Sequence, residues 1–381
     1  MSDPMLQSCH KWGARATALL SLVLGSCAAF TTVHDTPGPH PPVRPVPVPG
    51  TRLSDWKGIV HCHSHLSHDS EGTIETIAAA CETAHVDFVV MTDHQTDESI
   101  AAGQRGFVGK TLFVVGAEVR SPQGTLLCFP LAKPLRRFQH AGLLAKEAAA
   151  QGGLAFVGHG EKWRVAWDVP GLAGAEIVNL HAAASTVDKI GTALTVLFLP
   201  MRFLLERISY RDEGVFAEWD RSLARQHPFT PIGGNDAHAN VRIFGPLGGT
   251  IGTYQEIFLT LSTHVLAEKL DEKSLVEAFA AGRTYVSFDV FGEGAGFDFR
   301  IEDGAGNVHL PGASVPARDD LVLRVLTPRP GRIRLFCDGK VVHQRDSMVL
   351  DVHAPGPGVY RVEVATKGGS PWLFSSSIRV Q

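Results

Sequence analysis

Ile59-Val60-His61-Cys62-His63 is the stretch from which the rest of the chain is read: an apolar run ending abruptly in two histidines one residue apart. The arrangement recurs. Phe88-Val89-Val90-Met91 leads into Thr92-Asp93-His94, and Phe113-Val114-Val115 into Gly116-Ala117-Glu118. Leu154-Ala155-Phe156-Val157 leads into Gly158-His159-Gly160, and Phe229 to Ile232 into Gly234-Asn235-Asp236-Ala237-His238. Short continuous apolar runs mark strands buried on both faces, as in a parallel sheet, and in barrel folds the chemistry gathers at the C-terminal strand ends. Imidazoles and carboxylates are therefore delivered to one rim.

On a strand, residues i and i+2 point the same way, so His61 and His63 share a face that Cys62 does not, and Asp236 pairs with His238 in the same manner. Mixed imidazole and carboxylate donors suit Zn²⁺, Mn²⁺ or Fe ions better than Ca²⁺ or Mg²⁺, which prefer oxygen shells. Helix-like stretches at Thr73 to Ala84, Ala141 to Gln151 and Asp212 to Gln226 alternate with the strand runs. That alternation predicts an α/β chain of parallel βα units.

The ordered series HxH, TDH, GxE, a later His and NDAH resembles the PHP family, the phosphoesterases named after bacterial DNA polymerases and histidinol phosphatase. The resemblance runs from about Asp55 to Phe288. One such triplet arises by chance in a chain with 18 histidines; the whole series, in order and at strand ends, does not. It implies a distorted seven-stranded β/α (TIM-like) barrel, two or three divalent metal ions (Zn, Mn or Fe), and hydrolysis of small phosphate mono- or diesters by a metal-bound hydroxide. It makes His61, His63, His94, Glu118, His159, Asp236 and His238 metal ligands, with Glu118 in the bridging position. In Ser67-His68-Asp69-Ser70 either His68 or Asp69 fills the remaining place of the first loop, and the SxDS spacing favours Asp69.

One departure stands out. Many members carry a His in the strand after GxE, and here that run is Thr125-Leu126-Leu127. The site then holds two ions, or recruits His140 or His181, of which His181 is better placed because it follows the strand-end run Glu176 to Asn179. Asp93 is expected to steady a ligand imidazole, as outer carboxylates do. Lys162, Arg164 and Arg242 follow ligand positions closely enough to supply cationic contacts to phosphate, with solvated surface charge as the plainer reading of each. The chain has neither a GxSxG elbow nor a P-loop, in keeping with metal-activated water.

Lys11 and Arg15 precede the apolar stretch Ala16 to Leu24, which is too short to span a membrane and has the length of a signal h-region. Leu24-Gly25-Ser26-Cys27 is similar to a bacterial lipobox, which predicts a signal peptide over 1–26, lipidation of Cys27, and an exported, membrane-anchored protein in the periplasm or at the cell surface. Residues 27–54 read as a Pro-rich linker, with an extended spacer from Pro37 to Gly50. Cys62, Cys81, Cys128 and Cys337 lack metal-finger spacing and read as free, buried thiols.

Residues 55–290 form the expected barrel. Thr192 to Ile208, apolar with Pro200 inside it, reads as an insertion over the rim. From Gly292 the pattern changes to alternating runs at Leu321 to Val325, Arg332 to Phe336 and Val359 to Val364, which predicts an immunoglobulin-like β-sandwich over 291–381. That domain offers a surface for a protein or glycan partner. A net charge of −4 gives no support to nucleic-acid binding through a basic surface and favours small substrates. Two further functional readings stay open: an exported metal-binding recognition protein without turnover, and a metal-dependent hydrolase of a non-phosphate bond.

Overall fold

A computed structural model of the chain describes residues 44–186, 201–238, 241–242 and 250–381. The expected signal peptide, Cys27, most of the linker and most of the apolar stretch after Thr192 lie outside the described residues. Residues 43–381 group as one compact unit.

Strands β1 (Ser54–Cys62), β2 (Phe88–Met91), β3 (Thr111–Val115), β4 (Ala117–Arg120), β5 (Thr125–Phe129), β6 (Leu154–Gly158), β7 (Leu172–Asn179) and β8 (Thr230–Ala237) carry the rim clusters. β1 pairs in parallel with β2, β2 with β3, β6 with β7 and β7 with β8. β8 returns in parallel to β1, so the pairings run in a circuit that passes from β3 to β4 along the chain across Gly116. β5 departs from the expected parallel pattern, lying antiparallel to both β4 and β6. The reason is the connection: Ser121 to Gly124 is a tight turn, with the Ser121 amide donating to the Gly124 carbonyl at 2.9 Å, and a parallel crossover needs a dozen residues or more.

Strand alternation builds two apolar layers. Val60, Phe88, Val90, Leu112, Val114, Leu127, Phe129, Phe156 and Ile232 form one cluster drawn around the circuit. Ile59, Val89, Met91 and Phe113 form another, against Ile77, Ala80 and Cys81 of helix α1 (Ile74–Thr83). The predicted helices appear as α1, α2 (Ala141–Ala149) and α3 (Glu213–Arg225), each started by a side-chain cap, Thr73, His140 and Asp212 respectively. His140 caps α2 through Nδ1 and joins no candidate metal group among the described residues.

The sheet does not stop at residue 290. β9 (Ser262–Ala267) lies antiparallel to residues 54–58 of β1, β10 (Thr284–Ser287) pairs with β9, and β15 (Pro371–Ser375) pairs with β10. β11 (Asp298–Glu302), β12 (Val322–Cys337), β13 (Lys340–His353) and β14 (Gly358–Ala365) complete the C-terminal part, with β14 antiparallel to β15. The predicted runs 321–325 and 332–336 are one strand, whose register shifts between Leu326 and Gly331 around Pro328 and Pro330, residues that cannot donate to the ladder. The linker is not a free spacer to its end either. Val46-Pro47 pairs with the start of β1, and Val48 is buried in the C-terminal core.

Candidate metal centre

The site begins with backbone geometry. His61, His159 and Asp236, each at a strand end, take positive φ values of 65°, 49° and 49°. A non-glycine residue pays about 1–2 kcal/mol for the left-handed conformation, and such strain collects at functional sites. At two of the three the ladder also shifts register, between Val60 and Cys62 and between Gly234 and Ala237. These kinks turn the side chains inward. Cys62 stays in the apolar layer on the other side, as alternation predicts.

Around Glu118 and Asp236 the imidazoles converge. His61 Nε2 lies 3.7 Å from Glu118 Oε2 and 3.3 Å from Asp236 Oδ1; His63 Nε2 lies 3.5 and 3.4 Å from the same two atoms. Both nitrogens are fully buried and have no hydrogen-bond partner. Asp69 Oδ2 sits 2.9 Å from His94 Nε2 and 3.3 Å from His238 Nε2, and His94 Nδ1 lies 3.1 Å from Glu118 Oε2. His159 Nε2 approaches the remaining oxygens, Glu118 Oε1 at 3.5 Å and Asp236 Oδ2 at 3.6 Å. Three overlapping groups result: His61, His63 and Asp236; His63, Asp69, His94 and His238; and His61, Glu118 and His159, with candidate ligand atoms within 4.8 Å of one another in each.

The outer contacts fix the tautomers. His61 Nδ1 donates to Glu176 Oε1 at 2.7 Å and His238 Nδ1 to the Asp236 carbonyl at 2.8 Å, which leaves both Nε2 atoms turned towards the carboxylates. His63 Nδ1 pairs with the Ser67 hydroxyl at 3.0 Å, which also accepts the His94 amide. Burial pushes the His61 imidazole down, but Asp236, Glu176 and Glu118 hold it well above the ordinary histidine value. Burial likewise raises Glu118 and Asp236, and the surrounding histidines outweigh it, holding both carboxyls well below their usual range. His159, beside Glu118 and Glu161, is held up at about 10 against the opposing effect of burial. Each carboxylate is thus kept ionised by positive charge in its immediate surroundings.

Several sequence expectations land elsewhere. His68 is exposed and lies against the His94 ring, 4.8 Å between centroids, while Asp69 faces the cluster. His181 is exposed, at 5.2 Å from the His238 ring, and joins none of the three groups. Asp93 does not reach an imidazole. It accepts the Ser64 amide at 2.6 Å and the Ser64 hydroxyl at 3.0 Å, because Ser64 rather than His63 turns towards it where the chain leaves β1. Lys162 is exposed and lies 3.9 Å from Glu161, and Arg164 is exposed beside a separate cavity. Arg242 stands in a two-residue strand paired with Thr250–Ile251; its side chain lies outside the described residues.

Glu176 was the main omission. Nearly inaccessible at 1% exposure, it bonds His61 through Oε1 and, through Oε2, accepts the His159 amide at 2.6 Å and the Asn179 side-chain amide at 3.0 Å. The available signal was a carboxylate inside the otherwise apolar run Leu172 to Val178. Gly234 makes room for it: a Cβ there would fall 1.5 Å from Glu176 Oε1.

No protein-family model matches the chain, and no curated protein sequence matches it. Among solved structures it is similar to a two-domain protein from Bacteroides vulgatus containing a predicted PHP-like metal-dependent phosphoesterase, with 15% identity over 87% of this chain and 98% of the other and a TM-score of 0.41. It is also similar to a Bifidobacterium adolescentis protein inferred to be a metal-dependent phosphoesterase, with 11% identity over 53% of this chain and 95% of the other and a TM-score of 0.31.

Proposed function

We propose that the protein is a metal-dependent phosphoesterase acting on small phosphate mono- or diesters, built as a seven-stranded PHP-type barrel with a C-terminal β-sandwich. The observation that carries this reading is the pair of buried, partnerless nitrogens, His61 Nε2 and His63 Nε2, facing Glu118 and Asp236 at 3.3–3.7 Å. A buried imidazole nitrogen facing a carboxylate needs positive charge between them, supplied by a proton on the ring or by a metal ion shared by both, and two imidazoles set against the same two carboxylate oxygens suit the shared ion. The spacing fits, since a tetrahedron of ~2.1 Å bonds has edges of ~3.4 Å.

His61, His63, Glu118 and Asp236 would hold one ion, and Asp69, His94 and His238 a second, with Glu118 near both. The group at His159 lacks the additional His that the resemblance leads one to expect, so two ions is the preferred count. The donor set favours Zn, Mn or Fe. When bound, such ions lower the pKa of ligated water towards about 7 and offset phosphoryl charge. The chain's own residues do the rest: Glu176 and the Asp236 carbonyl set imidazole tautomers, and Ser67 ties His63 to the His94 backbone. On the same reading residues 1–26 direct export and Cys27 carries the lipid anchor, so the substrate is met outside the cytoplasm.

The test is turnover of a panel of phosphomonoesters and phosphodiesters by protein loaded with Mn²⁺ or Zn²⁺. Activity lost on chelation and reduced by Asp236→Asn supports the reading. Loaded protein inactive on the whole panel, or activity indifferent to Asp236→Asn, overturns it. The anchor is tested separately, since Cys27→Ser should release the protein from the membrane fraction.

A further inference from the structure

Beside the metal centre lies a cavity of about 250 Å³ whose inner wall includes His94 and Glu118 and whose outer wall includes His68, Arg120, Arg137 and Phe138. Resting on the phosphoesterase reading, we infer that this cavity is the leaving-group pocket, with Phe138 selecting esters whose alcohol carries a flat ring and Arg120 and Arg137 drawing in the phosphoryl group.

Phe138 supplies the first argument. It is 81% exposed, and its φ is +61°. A bulky residue in the left-handed region is an outlier that costs about 1–2 kcal/mol, and nothing is regained here by burying the ring. Strain of this kind persists where surrounding structure enforces it, as at ligand clamps. The enforcing structure is Gln95, next to His94. Its side-chain amide donates to the Leu135 carbonyl at 2.7 Å and its side-chain oxygen accepts the Leu135 amide at 2.8 Å, while its own carbonyl accepts Arg137 Nη2 at 3.0 Å. The loop presenting Phe138 is therefore tied to the strand end that presents His94.

The arginines supply the second. Arg120 follows Glu118 by two residues on β4, so alternation turns both side chains to the same side. Neither Arg120 nor Arg137 pairs with a carboxylate among the described residues, although most other arginines of this chain do. Two uncompensated guanidiniums on one small cavity, next to a centre rich in carboxylates, are suited to a phosphate ester. The flanking surfaces are planar, namely the Phe138 ring, the His68 imidazole and the Arg137 fork, and they match a flat ring better than a flexible chain. Ligand pockets usually span about 300–1,000 Å³, so this one admits a single ring rather than a polymer.

Benzyl and cyclohexylmethyl phosphate separate the effects, because both leave as simple alkoxides and only the first carries a flat ring. Metal-loaded full-length protein should prefer benzyl phosphate in kcat/KM by about fivefold, the scale of one aromatic contact. Phe138→Ala should bring the ratio near one, chiefly by raising KM for the benzyl ester. Arg137→Gln should raise KM for both esters alike. Affinity for benzylphosphonate against cyclohexylmethylphosphonate, measured by calorimetry, gives the same ratio without turnover. If neither ester is hydrolysed but the phosphonates still discriminate and Phe138→Ala abolishes it, the pocket stands and the phosphoesterase reading fails. Wild-type protein that does not discriminate, or a ratio untouched by Phe138→Ala, overturns the inference.

Discussion

Glu176 shows how a single side chain orders the metal centre. It meets His61, the His159 amide and Asn179, and so joins the ends of β1, β6 and β7. Losing an outer carboxylate of this type costs roughly 10–100-fold in metal affinity or activity. We therefore predict that Glu176→Gln lowers both by that amount while thermal unfolding stays cooperative; wild-type metal content and turnover would contradict the role. Gly234→Ala should act similarly by displacing the carboxylate.

His227 is a residue whose protonation is expected to register in stability, away from the centre. Burial first, and then Arg379, depress its pKa to about 4. Between about 6.5, the unfolded value, and about 4, the unfolded chain binds a proton that the folded chain refuses. This contribution is fully present above 6.5 and is lost as pH falls through that window. The urea midpoint of His227→Gln should drop less between pH 7 and pH 5 than that of the wild type, and equal drops would remove His227 from the account.

At the scale of elements, the rim could be read from the sequence because apolar runs end in candidate ligands, which places those residues at strand ends. His61, His63 and Asp236 were legible for that reason. The positive φ at His61, His159 and Asp236 was not, since no glycine marks it. Glu176 was hidden because its partner His61 lies 115 residues away and no local pattern links them. The bond between helix α3 and strand β14 was hidden in the same way. Arg361, 1% exposed, donates to both Asp220 oxygens at 2.6 and 2.8 Å and to Glu363 at 2.6 Å, and its guanidinium lies 4.1 Å over the Phe336 ring. Removing one partner of a buried pair costs about 3–5 kcal/mol because the other charge is stranded. Because Arg361 keeps Glu363 as a partner, Asp220→Ala should lose less than that, about 2–3 kcal/mol in chemical denaturation, and a loss under about 1 kcal/mol would show that the pair does not hold helix to sheet.

For the whole molecule, alternation in the C-terminal sequence located strands but could not tell whose neighbours they are. β15 pairs with β10, and Phe374 packs on Phe216 and Phe288 within the core that also holds Val157 and Ile177 of the circuit. At the opposite end of β1 from the rim, Lys57, 1% exposed, contacts Asp289 at 2.8 Å and Glu293 at 3.1 Å, one partner on each side of the expected boundary. Cutting after residue 290 would remove Glu293, strip β10 of β15, one of its two partner strands, and open the core at Phe374. Those losses fall together on a molecule whose net stability is only about 5–15 kcal/mol, and large-to-small changes at a buried Phe alone cost about 3–5 kcal/mol. We predict that a fragment of residues 44–290 is insoluble or unfolds without cooperativity, and that Phe374→Ala in the full chain lowers stability by about 3–5 kcal/mol. A soluble 44–290 fragment that unfolds in one sharp transition and binds as much metal as the full chain would show instead that the circuit folds alone and that the C-terminal strands are an accessory to it.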